Sequence, residues 1–165
     1  MYSIRIEGDI KPLLGRMEGL SRLDLKGLNA ALGEGVREST LERFKQSRDP
    51  EGKLWARSIR AESEGRKTLI QTAQLRNSIQ VESDATGFAV GTNAKHAATH
   101  QLGEPGRTIR AKRRKALRFQ VDGQWVTRKK VTIRIPARPF LGLSEEDQQE
   151  MKQTVEDYIS KKQEE

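Results

Sequence analysis

The chain has 165 residues, 34% of them apolar, and no cysteine, which suits one domain with a modest core and excludes disulfides and thiolate-ligated metals. No run approaches the roughly 18 apolar residues of a membrane span, and the opening "MYSIRIEGDIK" lacks an apolar signal core, so a soluble protein in a reducing cytoplasm is expected. The net charge of +8 is unevenly spread: from Arg107 to Lys130 ten cations face one acid, Asp122, giving that segment +9 and the remainder −1.

In chain order, Tyr2, Ile4 and Ile6 alternate with polar residues and predict a short half-buried strand. Asp9 can cap a short helix carrying Leu13, Leu14 and Met17. Asp24 reads as the N-cap of a longer helix, with Leu25, Leu28, Leu32 and Val36 at three-or-four spacing and Leu41 and Phe44 extending the stripe. Gly27, Gly33 and Gly35 each cost that helix about 1 kcal/mol against Ala, which points to close packing against a neighbour, or a weak spot near Gly33. Asp49, Pro50 and Gly52 occupy positions favoured by a type I turn, and Trp55 follows as a core anchor. Residues 58–67 are polar and charged and read as a mobile loop. "LIQTAQLRNSI" reads as a short helix or turn.

Ile79, Val81 and Ser83, then Phe88, Val90 and Thr92, alternate around a turn and predict a hairpin. "AKHAATHQLG" predicts a short helix ended by Gly103. The basic segment follows as a second, longer hairpin at about 104–135. Ile109, Ala111, Leu117, Phe119 and Val121 share one face of its first strand, and Trp125, Val131, Ile133 and Ile135 one face of its second. A two-residue Asp122-Gly123 turn would pair Val121 with Gln124 and set apolar against charged faces. A loop one residue longer pairs Val121 with Trp125, keeps the apolar faces together, and is preferred, although it sets Arg118 opposite Arg128. Pro136 and Pro139 then stiffen a segment before a last helix. Ser144 and Asp147 form its capping box, Glu145 and Glu146 lie at its start, and Lys161 and Lys162 at its end. Met151, Val155, Tyr158 and Ile159 are its buried stripe. The order predicts an α+β fold: an antiparallel β-sheet with two hairpins, packed against a long N-terminal helix and a C-terminal helix.

Little here suits catalysis. His96 and His100, four apart with Glu104 beyond, have a spacing that can hold one metal. Position 97 is Ala, where a zinc peptidase places its general base, and no other histidine exists. No nucleophile elbow or phosphate-cradling glycine loop is present in the sequence. No enzyme activity, cofactor or metal is expected. The basic hairpin is the candidate contact surface: Arg107, Arg110, Lys112, Arg113, Arg114, Lys115, Arg118, Arg128, Lys129 and Lys130. A solvated edge that resists aggregation needs three or four cations, not ten. The surface therefore suits an acidic protein or nucleic acid. Without a helix-turn-helix, zinc finger or interleaved aromatics, any DNA contact would be to phosphates and salt-dependent.

Four stretches in order, "FKQSRDPEGKLWARS", "LIQTAQLRNSIQV", "HAATHQLG" and "IPARPFLGLSEED", resemble the phage virion morphogenesis, or tail-completion, family typified by the G protein of phage Mu. The likeness covers roughly residues 36–160 and is sharpest at I-P-A-R-P-F-L-G; it departs at His96, where an aromatic is usual, and at Thr99, where an aliphatic is. The resemblance implies a structural protein of the virion, assembled in the host cytoplasm, at the head-proximal end of a phage tail. It implies tail completion and head–tail joining in a homo-oligomeric, hexameric ring through which DNA passes. Tail-tube or terminator proteins and head-connector proteins would be its partners, with genomic DNA touching the channel and no membrane involved. Pro136, Arg138, Pro139, Phe140 and Trp55 are expected at a fixed structural interface. From their composition, residues 58–67 and 104–116 are expected to be disordered in the free subunit. The competing reading is a stand-alone, sequence-nonspecific nucleic-acid-binding protein using the same hairpin.

Overall fold

The computed structural model describes residues 23–112, 115–121 and 123–164. The expected strand at Tyr2–Ile6 and the helix carrying Leu13, Leu14 and Met17 lie outside them. The elements are α1 (Leu25–Gln46), α2 (Ile59–Ser63), α3 (Gln74–Asn77), β1 (Ile79–Ser83), β2 (Phe88–Thr92), α4 (Ala97–Leu102), β3 (Glu104–Arg110), β4 (Leu117–Val121), β5 (Gln124–Arg128), β6 (Lys130–Ile135) and α5 (Glu145–Glu164). The fold class is α+β with antiparallel pairing, but among the described residues the strands form three separate pairs, β1–β2, β3–β6 and β4–β5, rather than one sheet.

Helix α1 begins where an orphan amide finds a side-chain acceptor: Gly27 N–H donates to Asp24 Oδ1 at 2.9 Å. Its apolar period buries Leu28, Leu32, Val36 and Phe44 against β1, β2 and α5, while Leu25 at its edge stays 46% exposed. The three glycines have different causes. A Cβ at Gly27 would strike the Asp24 cap; at Gly33 it would run into Val81 and Phe88 of the hairpin; at Gly35 it would meet nothing among the described residues. Close packing against a neighbour therefore accounts for Gly33 but not for Gly35.

Gly52 N–H donates to Asp49 O at 3.0 Å, closing the expected turn. It delivers Trp55 into a cluster of Phe44, Leu75, Ile79, Ala97 and Phe140. Trp55 meets Phe44 edge-on at 5.5 Å between ring centres. Each large side chain so buried contributes about 1.5–3 kcal/mol.

Residues 58–67 correct the loop expectation. Ser58 Oγ accepts the Ala61 amide at 3.2 Å and caps α2, whose one fully buried side chain is Ala61. A single small residue leaves no periodic stripe in the sequence, so the cap was the only signal. Segment 104–116 likewise begins as β3 in the subunit itself.

The basic hairpin is a ribbon in two parts. At its base, β3 pairs β6 with Ile109 opposite Val131 and Thr108 opposite Thr132, after a bulge between Glu104 and Arg107. At its tip, β4 pairs β5 with Phe119 opposite Val126 and Val121 opposite Gln124. The preferred longer loop is thus overturned: the turn is the two-residue one, with Gly123 at φ +79°. The physical reason is that β5 ends at Arg128 and β6 starts at Lys130, so face parity does not carry from Trp125 to Val131. Val126 completes the apolar face instead. Trp125 stands on the opposite face under the Arg118 guanidinium, 4.7 Å from ring centre. Arg118 lies opposite Thr127, not Arg128, and the opposed like charges are Arg110 and Lys130.

Helix α5 starts with the predicted capping box: Asp147 N–H donates to Ser144 Oγ at 3.1 Å and Ser144 N–H to Asp147 Oδ2 at 2.7 Å. Glu145 and Glu146 occupy its first turn and Lys161 and Lys162 its last. Met151, Val155, Tyr158 and Ile159 are half-buried.

Candidate assembly interface

The sequence singles out two regions, and the fold separates them. The ribbon carries the cations: Arg107 and Arg110 on β3, Arg118 on β4, Arg128 on β5, Lys130 on β6, and Lys112, Lys115 and Lys129 in the breaks. All eight are exposed, and none makes an ion pair with a described residue. Arg113 and Arg114 lie outside the described residues. Among the described residues, the apolar face of the ribbon has only partial cover. Ile109, Leu117, Phe119, Val126, Val131 and Ile133 are half-buried, Val121 is exposed, and Trp125 is 62% exposed on the other face. An exposed aromatic beside cations that make no ion pair with a described residue, on a two-stranded ribbon, has the composition of a contact surface.

The second region, residues 136–142, is a hub inside the subunit. Gln101 holds it from α4: its Oε1 accepts the amides of Phe140 and Leu141 at 3.0 and 3.1 Å, and its Nε2 donates to Leu141 O at 2.9 Å. Trp55 Nε1 donates to Pro139 O at 2.8 Å, and Arg138 N–H to His100 O at 2.7 Å. Arg138 Nε donates to Ala56 O at 2.7 Å. Arg43 donates to the carbonyls of Phe140 and Gly142, and to the Asp147 carboxylate. Gly103, at φ +78°, lets α4 end against this segment, since a Cβ there would meet Ile135 O at 3.0 Å.

The expectation of an interface at Pro136, Arg138, Pro139, Phe140 and Trp55 is therefore corrected in part. Phe140, Arg138 and Trp55 are 0%, 4% and 6% exposed, so the fixed contact they make is within the subunit. Pro136 is exposed and Pro139 half-buried. The four stretches of the family likeness converge here, from α1 and the 49–52 turn, from α3, from α4 and from the hub itself. Sequence reasoning missed Arg43, Gln101 and Asp147 as the clamps. Their signal is long-range, and only the capping-box role of Asp147 is local.

The buried pair is electrostatically complete. Burial pushes the Asp147 carboxyl up, but the Ser144 amide, Ser39, the Arg43 charge and the Ser144 hydroxyl outweigh it and hold the carboxyl below its usual range. Burial also lowers Arg138, which finds only carbonyl partners among the described residues.

His96 and His100 meet edge-on, 5.8 Å between ring centres. They line a cleft of about 300 Å³ with Arg60, Leu75 and Arg138. Burial, then the charges of His96 and Arg138, hold His100 below the usual imidazole value. Two cations beside the pair oppose a metal cation, and among the described residues no three His, Asp or Glu gather in one place. His96 is exposed, so its departure from the family's aromatic imposes no packing demand. No described helix is long and apolar enough to cross a membrane.

No curated protein and no solved structure matches the chain. A family model does, over residues 8–160, nearly the whole length and including every clamp of the hub. The chain belongs to the phage virion morphogenesis family, and its role is a structural one in building the phage particle.

Proposed function

We propose that the chain completes the tail and joins it to the head, forming a ring at the head-proximal end through which DNA passes. The family supplies the setting, virion assembly. The observation that carries the finer reading is the ribbon: eight described cations, all exposed and without an ion pair to a described residue, on paired strands whose apolar side chains are only half-buried. A hexameric ring would stack on tail-tube or terminator proteins below and head-connector proteins above. Ribbons repeated around one axis repel until an anionic partner relieves them, which couples assembly to docking.

The test is deletion of the gene and imaging of what accumulates. Separate filled heads and tails, restored to joined particles by supplying the chain, fit the reading; normal particles lacking the chain exclude it.

The same cations favour one alternative, a free nonspecific nucleic-acid-binding protein. That reading expects submicromolar duplex binding at moderate salt, abolished by charge reversal at Arg113 and Arg114, and no dependence of particle assembly on the chain.

A further inference from the structure

The ribbon's counterpart lies on the same molecule. Helices α1 and α5 flank a groove of about 520 Å³ lined by Glu38, Glu42, Asp49, Glu146 and Glu150, with one exposed cation, Arg48, on its wall. Its one buried acid, Asp147, is neutralised by Arg43. Glu38, Glu146 and Glu150 are exposed and make no ion pair with a described residue. The groove is not only acidic. At Gly35 it runs on into a notch lined by Ala31, Leu32, Val36 and Met151, and Gly35, Asp147 and Glu150 border both. Gly35 is the helix glycine that packing among the described residues does not explain: none of them comes within 4 Å of a Cβ placed there. A glycine in mid-helix costs about 1 kcal/mol, and close approach of another chain is a physical use for it.

We infer that this groove receives the basic ribbon of a second copy of the chain, so that each subunit's ribbon clasps its neighbour between α1 and α5. The inference rests on the ring reading and names the surfaces that would close it. Complementarity is twofold. The ribbon is cationic with an apolar face and an exposed Trp125; the groove is anionic with an apolar notch beside a glycine. No described ribbon residue lines the groove of its own subunit. Duplex DNA would satisfy the cations but not Phe119, Val126 or Trp125, which favours a protein occupant. Ribbon to groove is a head-to-tail contact between different surfaces, the geometry that generates rings when the rotation closes.

Two measurements on the full chain test this. The first reverses charge: Arg118→Glu, Arg128→Glu and Lys130→Glu on the ribbon, and Glu38→Lys, Glu146→Lys and Glu150→Lys in the groove. Each triple variant alone should self-associate at least about tenfold more weakly than the wild type by sedimentation. Mixing them in equal amounts should restore assembly, because each reversed ribbon then meets a reversed groove. Unchanged self-association in either variant, or a loss confined to the ribbon variant together with loss of duplex binding, overturns the inference. The second needs no charge change and exploits the absence of cysteine. A mixture of Trp125→Cys and Gly35→Cys chains should form mixed disulfide dimers in excess of either homodimer under mild oxidation. Absence of mixed dimers from a mixture that still assembles overturns the inference and leaves the joining role standing; absence of the chain from joined particles defeats the joining role itself.

Discussion

Gln101 grips the chain around Leu141 with both ends of its amide, accepting the Phe140 and Leu141 N–H groups and donating to the Leu141 carbonyl. Three backbone groups of a buried segment thus depend on one side chain. Gln101→Leu should lower the unfolding free energy by about 2–4 kcal/mol, because the orphaned groups keep their desolvation penalty. Gln101→Glu keeps the acceptor, loses the donor and should fall between. Urea denaturation of the three proteins checks the order.

Arg43 and Asp147 form a buried pair whose removal one member at a time should be severe. Asp147→Asn or Arg43→Met is expected to cost about 3–5 kcal/mol, since each strands a buried partner. The pair also fixes an acid limit. Asp147 titrates below its usual 3.8 in the fold. Its contribution is therefore present above pH 3.8 and lost as the pH falls through the lower folded value. Denaturation midpoints of the wild type should drop in that acid window. Those of Asp147→Asn should drop less, retaining the part due to Asp84, which is also held low, chiefly by Thr86.

His100 predicts a second, milder slope. Its imidazole is held below the usual 6.5 and its buried Nδ1 has no partner among the described residues. A group so depressed contributes above the unfolded value, and that contribution is lost as the pH falls from about 6.5 through the folded value. His100→Leu should flatten this region of the stability profile, measured as melting temperature against pH between neutrality and about pH 5.

Gly33 and Gly35 sit two residues apart in one helix and should respond with opposite signs. Gly33→Ala must displace Val81 or Phe88 and is expected to destabilise by about 1–3 kcal/mol. Gly35→Ala enters open space and should stabilise the isolated subunit by about 0.5–1 kcal/mol. Thermal melts at concentrations too low for assembly separate the two.

The long helix was legible because its apolar period and the Asp24 cap agree. The Ser144–Asp147 box was legible because it needs only four residues, and the first hairpin because its alternation is unbroken. What failed shares one cause. The register at the ribbon tip is not legible because alternation alone puts Trp125 on the apolar face, whereas its ring serves Arg118, a contact only the folded ribbon creates. The break at Lys129 that makes this permissible leaves no mark in the sequence. Helix α2 hid behind charges because it buries only Ala61. Trp55, Arg138 and Phe140 are buried inside the subunit, and nothing local in the sequence tells a contact within the subunit from one between subunits.

The most direct measurement of the central claim is a density map of the assembled ring or of the joined particle, at a resolution that traces β3 to β6. The account predicts the ribbon reaching out of its subunit, with Arg118 and Trp125 between α1 and α5 of the neighbour, close to Glu38 and Glu150. A ribbon lying flat across its own subunit, with no neighbour and no polyanion against its cations, would contradict it.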